Sequence, residues 1–512
     1  MLELDHLWDL VRERAATTPD RVLTIDEERR RLTFAEYRDA CERVAAGLAA
    51  RGVGEGSHVS WQLPSWVESL VLIGALARLG AVQNPMLPIY REREMRFITR
   101  QFAPTVFVVP SAWRGYEYAS IARTLAAAQP DMKVLVCDRG TGLPEGDPTT
   151  LPPFVAPSPG TTRWVFYTSG TTADPKGARH TDASVIAAAR GAIECLEMRD
   201  DDVAAVVFPI THVGGVLSLI ESLATGSGTV LIEAFDPTTS IPVLAREGVS
   251  LVGAGTPFFL AYLAVQRTDP DTALFPRARL FPGGGMPKPP ELFYEVKREL
   301  GGAGIVSGYG MTECPVFCMN RLHDPDDKLA TTEGRPVRGA TLKIAPLDGS
   351  VAAPGKEGEL LVKGPMLFQG YLDAALDADA FDPDGFLHTG DLGIQDADGC
   401  IVITGRVKDI IIRKGENISA QEVENHLYTH PKVGDVAVIG LPDPASGERV
   451  CAVVVNADRS EPLTFAEMIE HLRAEGLMTQ KLPEQLELVA ELPRNPTGKV
   501  LKHELRVRFG GP

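Results

Sequence analysis

The sequence predicts an α/β fold with a large N-terminal part, an antiparallel β appendage and a small α+β C-terminal domain. Three observations predict it. The chain has 512 residues, more than one hydrophobic core usually organises. Helix-period and strand-like segments alternate along its first two thirds, the pattern of a parallel sheet covered by helices. From Gly405 onward the composition resets into a basic-acidic segment followed by about a hundred residues of α+β pattern.

Thr33 and Glu36 form a capping box, and Tyr37, Cys41, Val44, Ala45 and Leu48 follow at helical spacing before Gly52 and Gly54. Strand-like runs are expected at residues 58–63, 105–109 and 133–137, with a helix near Ala119 between the last two. The apolar stretch 67–82 is broken by Arg78 and falls short of the roughly 20 residues a membrane helix needs, so it is read as a buried core helix. Residues 140–160, rich in Pro and Gly, form a surface connection. Residues 342–344, 358–362, 386–388 and 400–403 are strands of the antiparallel appendage. In the C-terminal domain a helix at 420–427, strands at 436–439 and 450–455 and a helix at 464–475 are expected.

A net charge of -17 argues against general nucleic-acid binding while leaving local anion pockets open. The seven cysteines are scattered, and Cys314 and Cys318 lack the further ligands of a zinc site, so reduced thiols and a cytoplasmic location are expected. The acidic start around Glu3, Asp5 and Asp9 is unlike a signal peptide.

The sharpest chemical signal is the run Tyr167-Thr168-Ser169-Gly170-Thr171-Thr172-Ala173-Asp174-Pro175-Lys176-Gly177 after the apolar Trp164-Val165-Phe166. Hydroxyls, backbone N–H groups and one fixed cation suit a polyphosphate. An exposed Ser/Thr/Gly turn has the same composition, but the strand before it and the Lys176-Gly177 ending favour phosphate. The run is no Walker A loop, because Pro175 precedes Lys176 and Gly177 follows it. Further along come Gly283-Gly284-Gly285, Gly308-Tyr309-Gly310-Met311-Thr312-Glu313, His388-Thr389-Gly390-Asp391, Gly405-Arg406-Val407-Lys408-Asp409 and Pro493-Arg494-Asn495-Pro496-Thr497-Gly498-Lys499. Gly308 and Gly310 are not a dinucleotide fingerprint, since Glu313 replaces its third glycine.

These motifs, in this order, resemble the adenylate-forming superfamily of acyl-CoA synthetases, peptide-synthetase adenylation domains and luciferases, over nearly the whole chain. The resemblance implies a large N-terminal domain at 1–405 that includes a small β-barrel-like subdomain, and a small mobile C-terminal domain at 406–512. It implies an ATP-dependent carboxylic acid–CoA ligase that forms an acyl-AMP and then a thioester. The implied ligands are ATP, Mg²⁺, coenzyme A and a small-molecule carboxylic acid, with no nucleic-acid partner and no membrane segment; a homodimer is compatible with it.

Carried over residue by residue, the nucleotide is bound by Thr168, Ser169, Gly170, Thr171, Thr172, Lys176, Gly284, Gly285, Tyr309, Gly310, Met311, Asp391 and Arg406. Tyr309 stacks on adenine, Thr312 touches the α-phosphate, Glu313 holds Mg²⁺ and Asp391 accepts from the ribose hydroxyls. Lys499 is the catalytic lysine, Lys408 the pivot of the hinge, and Lys414 and Gly415 belong to the segment lining the pantetheine path. The family usually has glycine where Ala173 stands. His212, in Pro209-Ile210-Thr211-His212-Val213-Gly214-Gly215, is either a gate of the acyl pocket or a core histidine at a strand end. No aspartate stands near Thr211 and Val213 to hold an ammonium, which favours a non-amino acid. Alternatives left open are a stand-alone adenylation enzyme loading a carrier protein, a luciferase-like oxygenase and a non-catalytic nucleotide-binding module.

Overall fold

The computed structural model describes residues 1–158, 160–168, 175–286, 288–347, 355–413, 416–494 and 500–510. The first large sheet has six strands. His58–Trp61, Val82–Pro85, Val106–Val109, Lys133–Val136 and Trp164–Thr168 run parallel, and Lys176–His180 turns back antiparallel at the edge. A second sheet places Val22–Asp26, Gly228–Leu231 and Val203–Val206 in parallel, with Arg31–Thr33 antiparallel at its edge. Single bridges from Ala204 to Leu251 and from Leu251 to Leu280 carry it toward a third sheet, in which Phe281–Gly284 pairs parallel with Ile305–Met311.

The helix Phe34–Ala49 carries the expected capping box: the Thr33 hydroxyl accepts from the Glu36 N–H while the Glu36 carboxylate accepts from the Thr33 N–H. The apolar stretch 67–82 is a buried helix only over Val67–Leu79. Gly80, at φ 71°, ends it, and Val82 already belongs to a strand of the six-stranded sheet. A continuous apolar run reads alike as buried helix or buried strand, so the break shows only through the glycine.

The antiparallel appendage is a four-stranded meander of Thr341–Ala345, Gly358–Lys363, Leu387–Gln395 and Ile401–Arg406. The sequence placed His388 to Asp391 at the end of a short strand; they instead open a nine-residue one. Its neighbours pair with it on both sides and extend it beyond its own apolar signal.

Past a short 3₁₀ turn at Val407–Asp409, a mixed sheet of Ile410–Arg413, Glu416–Ser419, Val433–Asp443, Gly447–Asn456 and Gln485–Val489 carries the helices Ala420–Tyr428, Phe465–Ala474 and Lys502–Phe509. The buried apolar clusters divide at the same place. Two draw only on residues up to Ile401, and two others only on residues from Ile411 onward. The C-terminal unit therefore buries its own core, the mark of a separately folding body. All seven cysteines are buried and free, and no helix among the described residues is long and apolar enough to cross a membrane.

Candidate active site

A cavity of about 440 Å³ opens where the large and small units meet. Gly285, Gly308, Tyr309, Gly310, Asp391 and Arg406 line it from the strands and strand ends of the large unit, and Lys408, Arg494, Val500, Lys502 and Arg506 from the segment beyond.

The glycine motifs enter it as strand rather than as loop. Gly284 pairs with Gly308 between the parallel strands, and a Cβ on Gly284 would lie 2.6 Å from the Gly308 carbonyl oxygen. A Cβ on Gly310 would lie 2.0 Å from the carbonyl oxygen of Pro315. Only glycine permits this backbone approach, and strand pairing therefore continues into both motifs. Met311 ends the strand Ile305–Met311.

The half-buried Tyr309 donates its hydroxyl to Asp391 Oδ2, and Arg406 Nε lies 2.7 Å from Asp391 Oδ1. Asp391 and Arg406 face each other across neighbouring strands, so three residues spread over a hundred positions of sequence form one network. Burial and the Asp391 charge hold the Tyr309 phenol well above its usual pKa, which keeps it a donor.

Trp164–Thr168 and Lys176–His180 form a hairpin with Thr168 opposite Lys176. Between them Ser169, Gly170, Thr171 and Thr172 lie outside the described residues. Lys176 Nζ sits 5.2 Å from the centre of the Tyr371 ring. Tyr371 in turn donates to Glu313 Oε1 at 2.7 Å, and Glu313 is only 6% exposed. Lys176 and Glu313 thus share Tyr371 as a common neighbour.

Two further residues carry no motif signal and, like Lys176, Thr312 and Glu313, are not part of the cavity lining. His180 places Nε2 2.9 Å from the Thr312 carbonyl oxygen and Nδ1 2.9 Å from Ser184 Oγ. Burial pushes its pKa down to about 4, so the ring is neutral and carries its proton on Nε2, toward a carbonyl that can only accept. Tyr371 reaches the site through a bridge to Ala178. Both are brought in by pairing between distant segments. The one local hint is that His180 lies four residues beyond Lys176 on the same strand.

His212 lies at a helix start, not at a strand end. Its Nδ1 accepts from the Gly214 N–H at 3.1 Å and caps Val213–Thr225, and burial pushes its pKa down to about 4. None of residues 209–215 lines the 440 Å³ cavity. Lys414, Gly415 and Lys499 lie outside the described residues. Arg494 and Val500, on either side of the segment that carries Lys499, form an antiparallel bridge and both line the cavity.

Among the described residues no three His, Cys, Asp or Glu side chains are grouped to hold a metal ion. A single carboxylate still suits Mg²⁺, which keeps waters and takes one or two carboxylates together with substrate phosphates. Glu313, which shares the neighbour Tyr371 with Lys176, is the carboxylate that would hold it.

Comparison with known proteins agrees with this geometry. Residues 11–372 match the family described as AMP-binding enzyme, and residues 422–499 match the AMP-binding enzyme C-terminal domain. The chain is 30% identical to a medium-chain fatty-acid–CoA ligase of Escherichia coli, over 98% of this chain and 90% of that one. It is 33% identical to a salicyl-AMP ligase / salicyl-S-ArCP synthetase of Mycobacterium tuberculosis, over 97% and 90%. Among solved structures, ATP-bound MatB from Rhodopseudomonas palustris superposes with a TM-score of 0.89 at 26% identity, covering 98% of this chain and 99% of that one. The apo form of the same protein, with the same coverage, gives 0.77. The chain belongs to the AMP-binding enzyme family, within the adenylate-forming superfamily, and is an ATP-using, AMP-forming acid–thiol ligase.

Proposed function

We propose that this chain is a carboxylic acid–CoA ligase working in two half-reactions on the cavity between its units. The observation that carries the proposal is the convergence of Tyr309, Asp391 and Arg406 with Arg494 and Val500, the flanks of the Lys499 segment, on one cavity. The closer superposition on the ATP-bound than on the apo form of MatB supports assigning this arrangement to the first half-reaction.

In that step a carboxylate oxygen of the acid attacks the α-phosphorus of ATP. The bond to the bridging oxygen of pyrophosphate breaks, and pyrophosphate leaves. A carboxylate is a weak nucleophile and ATP is strongly anionic, so the protein supplies position and positive charge. Tyr309 stacks on the base, Asp391 accepts from the ribose hydroxyls beside Arg406, and Thr312 meets the α-phosphate. Residues 168–172 and Lys176 surround the outer phosphates, and Lys499 offsets the charge that develops at the reacting centre. Mg²⁺ held by Glu313 would add divalent charge against the phosphate oxygens.

In the second step the thiol sulfur of coenzyme A attacks the acyl carbon and loses its proton to solvent, while the bond to the AMP oxygen breaks. The Lys499 segment then stands in the way. The small unit, from Arg406 onward, pivots at Lys408 and brings Lys414 and Gly415 to the pantetheine path. The acid lacks an ammonium group and is medium- or long-chain, alicyclic or aromatic, with His212 gating its pocket. A carrier-protein thiol as acceptor is the second reading, favoured by the relative named for both salicyl-AMP and salicyl-S-ArCP.

The test is pyrophosphate release across fatty, alicyclic and aromatic acids, followed by thioester formation with free coenzyme A and with a phosphopantetheinylated carrier protein. Pyrophosphate release with one class of acid, then thioester with free coenzyme A, is the expected result. Acyl-AMP that accumulates and is passed only to the carrier replaces the first reading with the second.

A further inference from the structure

Four carboxylates line the cavity: Glu333, Asp391, Asp409 and Glu424. Three are engaged. Asp391 is held by Tyr309 and Arg406, Asp409 lies 2.8 Å from Arg506 Nη2, and Glu424 lies 2.8 Å from Lys502 Nζ and accepts from the Val438 N–H. The Glu333 carboxylate has no hydrogen-bond partner among the described residues, and the charge that bears on it is that of Lys288.

Its place in the wall is fixed from both sides. The Glu333 N–H donates to the Ile401 carbonyl at 2.8 Å. Two residues on, Arg335 pairs with Met319, which pairs with Gly308. Lys288, just beyond the Gly283-Gly285 run, donates to the carbonyls of Leu329 and Ala330 and so closes the same wall. Two of its three N–H donors go to those carbonyls, and none of its hydrogen bonds among the described residues reaches Glu333. What remains on a lining shared with Gly285, Tyr309 and Gly310 is a carboxyl group without a hydrogen-bond donor among the described residues.

We propose that Glu333 reads the 6-position of the purine, accepting a hydrogen bond from the exocyclic amine of adenine and rejecting purines that carry a carbonyl there. The inference rests on the reading of this cavity as the ATP site and adds to it the residue that chooses the base. The physical reason is acceptor against acceptor: a 6-oxo purine would set a carbonyl oxygen against the carboxylate, whereas the amine supplies the donor that Glu333 lacks. Burial pushes the Glu333 pKa up to about 7, so the discrimination belongs to the carboxylate form present above that pH, and the assays are run there.

The experiment measures kcat/KM for acyl-AMP formation, with a working acid at saturation, for ATP, for inosine triphosphate and for purine riboside triphosphate, which has only hydrogen at the 6-position. Wild type should prefer ATP over both analogues. Glu333→Gln, whose amide can also donate, should shift the inosine-to-adenosine ratio toward inosine by about tenfold or more. Glu333→Ala should lose most of the preference for ATP over purine riboside triphosphate while leaving the rate with that analogue within about twofold of wild type. Thermal melts show whether each variant folds, and Glu333→Gln, nearly isosteric, serves if the alanine variant does not.

Unchanged nucleotide ratios in a folded Glu333→Gln overturn the proposal. A raised KM for the acid with unchanged ratios overturns it too, and assigns Glu333 to the acyl pocket. Absence of adenylation by wild type with every acid would overturn the ATP-site reading instead.

Discussion

The two walls of the cavity are built differently. On the side of the large unit, Tyr309 and Arg406 grip Asp391 in the lining, and outside the lining His180 grips the Thr312 carbonyl and Tyr371 grips Glu313. On the other side, Arg494, Lys502 and Arg506 pair with Asp435, Glu424 and Asp409, all residues of the C-terminal unit itself. The first wall is preorganised against the core of the large unit, whereas the second is a cationic face internally braced within its own body. Preorganised groups serve every step that needs the nucleotide held still, and a self-braced face can leave without breaking its own contacts.

The sharpest way to break this comparison is Lys499→Ala. If the second wall supplies charge to the first half-reaction, acyl-AMP formation should fall about 100- to 1000-fold, read as pyrophosphate release, while ATP still binds. Near-normal release would mean that the first wall suffices. Next in size, Asp391→Asn removes the charge that Arg406 and Tyr309 share, and kcat/KM for ATP should fall by about 10- to 100-fold, the 1.5 to 3 kcal/mol of a charged hydrogen bond. A matching change in the acid's KM at saturating ATP would contradict a role at the ribose. Lys408→Pro sharpens the contrast between walls: thioester formation should drop more than about tenfold with acyl-AMP formation within about twofold, and equal loss in both steps would refute a pivot there.

The smallest effect concerns stability. The His180 pKa lies near 4 in the folded chain against 6.5 for an ordinary histidine. Its contribution is therefore present above pH 6.5 and is lost as pH falls toward 4. Between pH 7 and pH 5.5 the loss is about 1 kcal/mol. Because Glu333 titrates with the opposite sign, the quantity to measure is the difference in unfolding free energy between wild type and His180→Asn at the two pH values. A difference that does not change with pH would place His180 in a wetter setting.

Much of this was legible in the sequence because its signals are local. The capping box at Thr33 and Glu36, the alternation of elements and the break near Gly405 all depend on neighbours in the chain. Tyr309, Asp391 and Arg406 could be named from motifs, and the structure brings them together, while Lys499, Lys414, Gly415 and residues 169–172 fall outside what it describes. His180, Tyr371, Lys288 and Glu333 were not legible. Each acts through a partner far along the chain, such as Thr312 for His180 and Ala330 for Lys288, and no periodicity marks such a meeting. For His212, noticed for its motif, the structure adds that its Nδ1 satisfies the N–H of Gly214 at a helix start.

The division of the buried apolar residues at Ile401 and Ile411 also bears on how the molecule melts and how it can be rebuilt. Two bodies with unshared interiors can unfold in separate calorimetric events, and damage to one interior need not spread to the other. The peptide near Val407 becomes a natural seam, where a C-terminal unit from a relative could be grafted while the nucleotide-facing strands keep their registry.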